Sequence, residues 1–158
     1  MPFESYLKRG LLKRQRANFK QIEVQVIRAK KDVQTAQLVL KKDPEWAATI
    51  AYHAMLRMGR ALLFAKGYLP ADGGQHRTVV ELTGTLLDTR DALLVEKFER
   101  MRRRRNLFFY ESDPFGTLTD AEHALETASQ LIHLLEAAIQ REHPQLHFEF
   151  HKPKHAKE

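Results

Sequence analysis

The sequence predicts an all-α protein folded as one domain, on three observations. Apolar residues recur at helical spacing along several stretches, start and stop signals bracket those stretches, and residues 19–140 show neither strand alternation nor an internal repeat. A chain of 158 residues suits one domain with one continuous core. It contains no cysteine, so apolar packing rather than disulfides or cysteine-bound zinc must hold it, and no thiol nucleophile is available.

Taken in order, residues 1–18 read as a basic N-terminal arm or short helix, with Leu7, Leu11 and Leu12 as the apolar side of a helix over Ser5–Arg16 and Gly10 opposing it. Phe19, Ile22, Val26, Ala29, Val33, Ala36 and Leu40 alternate three- and four-residue steps and paint one stripe along a long helix. Asp43-Pro44-Glu45 then starts a second helix, because Asp43 can accept free amide hydrogens, Pro44 tolerates the first turn and Glu45 suits the positive helix end. Its stripe is Ala47, Ile50, Ala54, Met58, Ala61 and Ala65, small enough for close helix approach, and Gly67 with Pro70 stops it.

Pro70 to Gln75 is turn chemistry. Thr78 and Glu81 have capping-box spacing and predict a short third helix from near Val79 to about Leu87. A fourth helix carries Leu94, Phe98, Met101, Arg105 and Phe108 on one stripe, which puts Arg105 on an otherwise apolar face. Ser112 to Gly116 breaks the chain, and Thr119 with Glu122 predicts a second capping box before a fifth helix with stripe Ala121, Leu125, Ala128, Ile132, Leu135 and Ile139. The bundle therefore spans 19–142, followed by a His-rich tail over 143–158. His143, His147, His151 and His155 are spaced by four, yet Pro144 and Pro153 oppose a helix, and alternating Leu146, Phe148 and Phe150 favour an extended or loose segment. No metal site and no cofactor are expected there.

The net charge of +6 favours an anionic partner, since Lys and Arg that neutralise phosphates release counterions. The charge is concentrated in the N-terminal arm, from Lys8 to Lys20, and in the run Arg102 to Arg105; the competing reading of either is a solvated face that aids solubility. The opening Met-Pro-Phe-Glu-Ser has neither the basic start nor the apolar stretch of a secretory signal, and no apolar run approaches the ~20 residues that cross a bilayer. The expectation is a cytoplasmic protein with no membrane partner.

Three segments together resemble the HEPN (higher eukaryote and prokaryote nucleotide-binding) family over about residues 22–140. They are Ala29 to Ala36 with Asp32 among small and apolar positions, Ala51 to Tyr68 ending in Lys66-Gly67 with Gln75-His76-Arg77-Thr78 after it, and Arg105-Asn106-Leu107-Phe108-Phe109-Tyr110. The resemblance implies an up-and-down four-helix bundle with an additional short helix. It also implies homodimers that bring two signature motifs together, and the metal-independent ribonuclease activity that is frequent in the family. Many members are encoded with a small nucleotidyltransferase as toxin and antitoxin, and others serve in RNA-linked defence.

In the family's ribonucleases an arginine steadies the scissile phosphate while a histidine a few residues later moves protons for attack by the 2′-hydroxyl. The resemblance gives Arg105 the first role, which suits a planar, permanently charged fork. Asn106 can orient the phosphate through its amide or serve as a surface or interface residue. Tyr110 stands where the family commonly has the histidine. A phenol with an ordinary pKa near 10 is a poor general base, although it can donate a hydrogen bond or stack on a base. On a helix, Arg103, Asn106 and Tyr110 share a face from which Arg105 points away, so unwinding or a second protomer is needed to gather them.

The catalytic candidates are thus Arg105, Asn106 and Tyr110, with Arg102, Arg103 and Arg104 as nucleic-acid contacts. His53 and His76 read as structural, since nothing in the sequence puts either beside Arg105. The function expected is a homodimer binding RNA or a nucleotide, with endoribonuclease activity hinging on whether Tyr110 can replace the histidine. The alternative is a non-catalytic interaction module that partners a nucleotidyltransferase or another protein.

Overall fold

A computed structural model of the chain describes residues 2–71, 75–110, 117–146 and 148, with backbone only for 106–110. It is an all-α bundle with one small sheet. Helix α1 (Phe3–Lys8) leads through a turn at Gly10, whose φ of 70° ends it, into strand β1 (Leu12–Arg14). Helix α2 (Phe19–Val39) and helix α3 (Pro44–Ala65) follow. Strand β2 (Tyr68–Pro70) then precedes helix α4 (Gln75–Leu86), a single 3-10 turn (Thr89–Asp91), helix α5 (Ala92–Tyr110) and helix α6 (Leu118–Glu142).

The start signal Asp43-Pro44-Glu45 acts as expected, and α2 has a side-chain cap of its own. Asn18 accepts the Gln21 amide at 3.1 Å to open α2, and Asp43 accepts the Trp46 amide at 3.0 Å to open α3, with Pro44 in the first turn. Helix α3 is the hub: it packs against α2, α4, α5 and α6, and is buried around most of its circumference. Alanines at 47, 51, 54 and 61 and Gly59 let the neighbours close in. A Cβ built on Gly59 would lie 2.6 Å from Val79 Cγ1 and 2.8 Å from Thr83 Oγ1, so the α3–α4 contact needs glycine there. The stripes of α2 and α6 face this hub, with Ile22, Val26, Ala29, Val33 and Ala36 buried on one and Ala121 through Ile139 on the other.

Four local expectations are corrected. The arm is not a helix over Ser5–Arg16. Gly10 stops α1, and Leu12 instead pairs with Pro70 and Arg14 with Tyr68 in an antiparallel ladder, with Phe3 stacked on Tyr68 at 4.3 Å. The same ladder puts a strand inside 19–140, where none is expected; at three residues each, β1 and β2 are too short to show alternation. Helix α4 starts at Gln75 rather than near Val79, because Thr78 is buried and Glu81 is taken by Tyr6 and Arg77, each at 2.7 Å. The capping box of α6 uses Thr117 and Asp120, two residues before Thr119 and Glu122, where the extended backbone of Thr117 lets both reciprocal bonds form.

The core extends past residue 142. His143 Nε2 lies 2.8 Å from the Ala65 carbonyl at the end of α3, and Leu146 and Phe148 are buried in the same cluster as Phe3 and Leu12. Lys30 ties this segment down, donating to Glu136 Oε1 at 2.9 Å and to the Phe148 carbonyl at 3.3 Å. His147, Phe150, His151 and His155 lie outside the described residues, as do the Asp72–Gly74 turn and the Ser112–Gly116 break. No helix of the described residues is long and apolar enough to cross a membrane.

Candidate functional site

Three helices converge on one polar cluster. Tyr52 and His53 sit midway along α3, His76 stands in the first turn of α4, and Arg102 and Arg105 lie in the later half of α5. The Gly59 contact brings α4 close enough to α3 for His76 to reach Tyr52, with the Tyr52 hydroxyl 2.9 Å from His76 Nδ1. From the other side Arg105 Nη1 approaches the same ring, 2.6 Å from Nδ1 and 3.0 Å from Nε2. The rings of Tyr52, His53 and His76 stand 5.7–6.1 Å apart pairwise, and Phe98, fully buried, meets Tyr52 edge-on at 6.1 Å. The Arg105 stripe position is thereby explained: the guanidinium leaves the apolar face by ending on an imidazole.

The charges of this cluster follow from burial and arginine. Burial, then Arg105 and Arg60, push His76 down to about 4, so it is neutral at physiological pH. Guanidinium has only donors, so a ring nitrogen that bonds it must be unprotonated, and an imidazolium could not form this contact. His53, which opens onto the adjoining cavity, is lowered by partial withdrawal from water and then by Arg105, Arg60 and Arg57. Burial holds the Tyr52 hydroxyl protonated, up to about 12 despite the opposing charges of Arg105 and Arg102. Arg105 therefore faces one protonated phenol and one neutral imidazole, either of which can exchange a proton or a hydrogen bond with an anion it holds.

A cavity of about 790 Å³ opens beside the cluster between α3, α5 and α6, lined among others by Trp46, Thr49, Tyr52, His53, Arg105 and His123. Trp46, 55% exposed, stands at this opening rather than in the core. Among the described residues no group of three or more His, Asp or Glu converges in a way that could hold a metal.

The remaining arginines of the run are engaged with carboxylates. Arg102 forks onto Glu99 at 2.9 and 2.6 Å, Arg103 reaches the same carboxylate at 3.1 Å, and Arg104 lies 4.0 Å from Asp120. Only Arg102 among these three turns inward, where its charge is felt by Tyr52 and His76. Asn106 and Tyr110 continue α5, and their side chains lie outside the described residues. The two histidines set aside on sequence grounds are thus the ones beside Arg105. Gln75-His76 directly after a Gly-rich turn was the available signal, but the turn hides which helix face His76 will share.

Asp32, the acidic residue of the first resembling segment, has a positioning role. It is buried, pairs with Arg28 Nε at 2.9 Å, and lies 3.4 Å from Arg57 Nε across the α2–α3 interface.

Compared with known proteins, the chain matches the family model described as HEPN domain over residues 22–138, which includes Tyr52, His53, His76 and Arg105. No curated protein and no solved structure matches it.

Proposed function

Since the chain belongs to the HEPN domain family, we propose that it is a cytoplasmic homodimer that binds RNA at Arg105 and cleaves it without a metal, with His76 rather than Tyr110 in the proton-transfer role. The observation that carries this reading is the 2.6 Å approach of Arg105, which lines the open cavity, to a neutral His76. A phosphodiester on Arg105 would offset the guanidinium charge, the second cause of the lowered His76 pKa, and raise the imidazole from about 4, while burial, the larger cause, still holds it below its ordinary range. In that state His76 accepts the proton of the 2′-hydroxyl as it attacks phosphorus, and the 5′-oxygen leaves with a proton from Tyr52 or solvent, giving a 2′,3′-cyclic phosphate. Asn106 and Tyr110, from either protomer, orient the phosphate, and Arg102 adds positive field. The biological setting is a toxin–antitoxin or defence system.

Cleavage of varied RNAs by purified protein in chelator tests this. Arg105→Ala should abolish both binding and cleavage, whereas His76→Ala should keep binding and lose about 10²–10⁴ in rate. Cleavage unaffected by His76→Ala would remove His76 from the mechanism.

A second reading is an interaction module that partners a nucleotidyltransferase or another protein; the singly exposed Leu38 and Leu93 do not decide for it. A folded dimer that leaves every RNA unbound would support it.

A further inference from the structure

We propose that the groove between α2, α3 and the residues just before α2 is a second phosphate-binding subsite, which holds the RNA backbone beyond the bond at Arg105. The inference rests on the RNA reading above and extends it to a surface outside the arginine run of α5.

The groove encloses about 1080 Å³ and is lined by Arg16, Lys20, Arg57 and Arg60 together with Gln21 and Gln25. Its described lining residues include no carboxylate, in contrast to the arginine run of α5, where Glu99 and Asp120 take up the charge. Arg57 donates to Gln25 Oε1 at 2.8 Å, while its Nε is buried without a hydrogen bond, 3.4 Å from Asp32. Arg60 has one long contact, Nη2 to Gln75 Oε1 at 3.5 Å. Burial and the neighbouring Arg57 charge both disfavour its protonated form, which an anion between the two guanidiniums would relieve. Arg57 already has the Asp32 carboxylate beside it, so Arg60, half-buried and in no ion pair among the described residues, is the cation whose charge an anion in the groove would offset.

One stripe of α3 links the groove to the Arg105 site. His53, Arg57 and Arg60 follow one another at steps of four and three on α3, so a single stripe runs about 10 Å from the cavity edge to the groove. Gln75, which meets Arg60, directly precedes His76, and the Arg60 charge is felt at both His76 and His53. Arg16 and Lys20 prolong the positive line at the exposed end. A row of cations at this spacing fits a flexible single strand, whose phosphates repeat, better than a lone anion.

The test compares a diribonucleotide and an octaribonucleotide, both 2′-O-methylated to block cleavage, binding to the wild type and to Arg16→Gln/Lys20→Gln/Arg60→Gln. Arg57 is kept because it holds Asp32. The expected result is near-equal affinity for the dinucleotide, a loss of about tenfold or more on the octanucleotide, and a log–log salt slope shallower by about 2, since each phosphate contact on single strands contributes about 0.7. The Arg16→Lys/Arg60→Lys protein should retain most of the affinity, which separates charge from folding. Unchanged octanucleotide affinity and slope in the folded triple variant would overturn the subsite while leaving the Arg105 site standing. Wild type that binds neither oligonucleotide would overturn the RNA reading itself.

Discussion

Arg105 Nη1 lies 2.6 Å from His76 Nδ1 across 29 positions of sequence, and the contact requires an imidazole without a proton on the bonded nitrogen. Because the folded His76 titrates at about 4 and the unfolded one near 6.5, the unfolded chain takes up the proton first as pH falls. The neutral ring's contribution is therefore complete above about pH 6.5 and lost on the way to about pH 4. Allowing for solvent screening, about 2 kcal/mol is at stake. Thermal melts of the wild type and His76→Asn between about pH 7 and pH 5 should show the steeper fall in the wild type. His53 is lowered in the same direction and remains in both proteins, so it cancels. Parallel curves would count against the contact.

Gly59→Ala should destabilise the fold by about 1–3 kcal/mol, since its Cβ would press on Val79 and Thr83 and push α4 from α3. The same shift should move His76 off Tyr52, so activity should fall further than the loss of folded protein accounts for. Urea titration beside an activity assay separates the two; a variant as stable as the wild type would mean that α4 yields freely.

Asp32→Asn leaves Arg57 without its carboxylate across the α2–α3 interface and Arg28 without its partner one turn away. Removing one member of a buried pair exposes the other to an unfavourable setting, and a loss of about 1–3 kcal/mol in chemical denaturation is expected. No change would assign the interface to apolar packing alone.

Phe148→Ala should cost about 3–5 kcal/mol, as for other fully buried phenylalanines, even though the residue lies beyond the last helix. A melting temperature equal to the wild type would show that this segment does not hold to the bundle in solution.

The long amphipathic stretches were legible because burial on one face writes itself into a 3.6-residue period. The stripes of α2, α3 and α6 bury nearly as drawn, with Phe19, Leu40 and Ile50 less covered than the rest. What the period cannot carry is contact between elements. Short strands such as Leu12–Arg14 and Tyr68–Pro70 exist only through each other, and Thr117–Asp120 and Thr119–Glu122 satisfy the same local pattern, so tertiary setting chooses between them. At the site, Arg105 stood out as a charge on an apolar stripe, but its partner came from another helix at a residue with no periodic signature. The run Arg102 to Arg104 looked like a cationic patch because sequence counts charges without showing that Glu99 sits one turn away on the same face.

The ladder that joins Leu12 to Pro70, with Phe3 on Tyr68 and Tyr6 on Glu81, also sets an order of assembly. A ribosome makes the arm before the bundle, yet every surface that receives it is made later, after α3 has been translated. Until then Phe3 and Leu12 have nothing to close onto, and residues made before α2 are among the last able to settle. Vectorial synthesis thus runs against the direction in which this chain can fold.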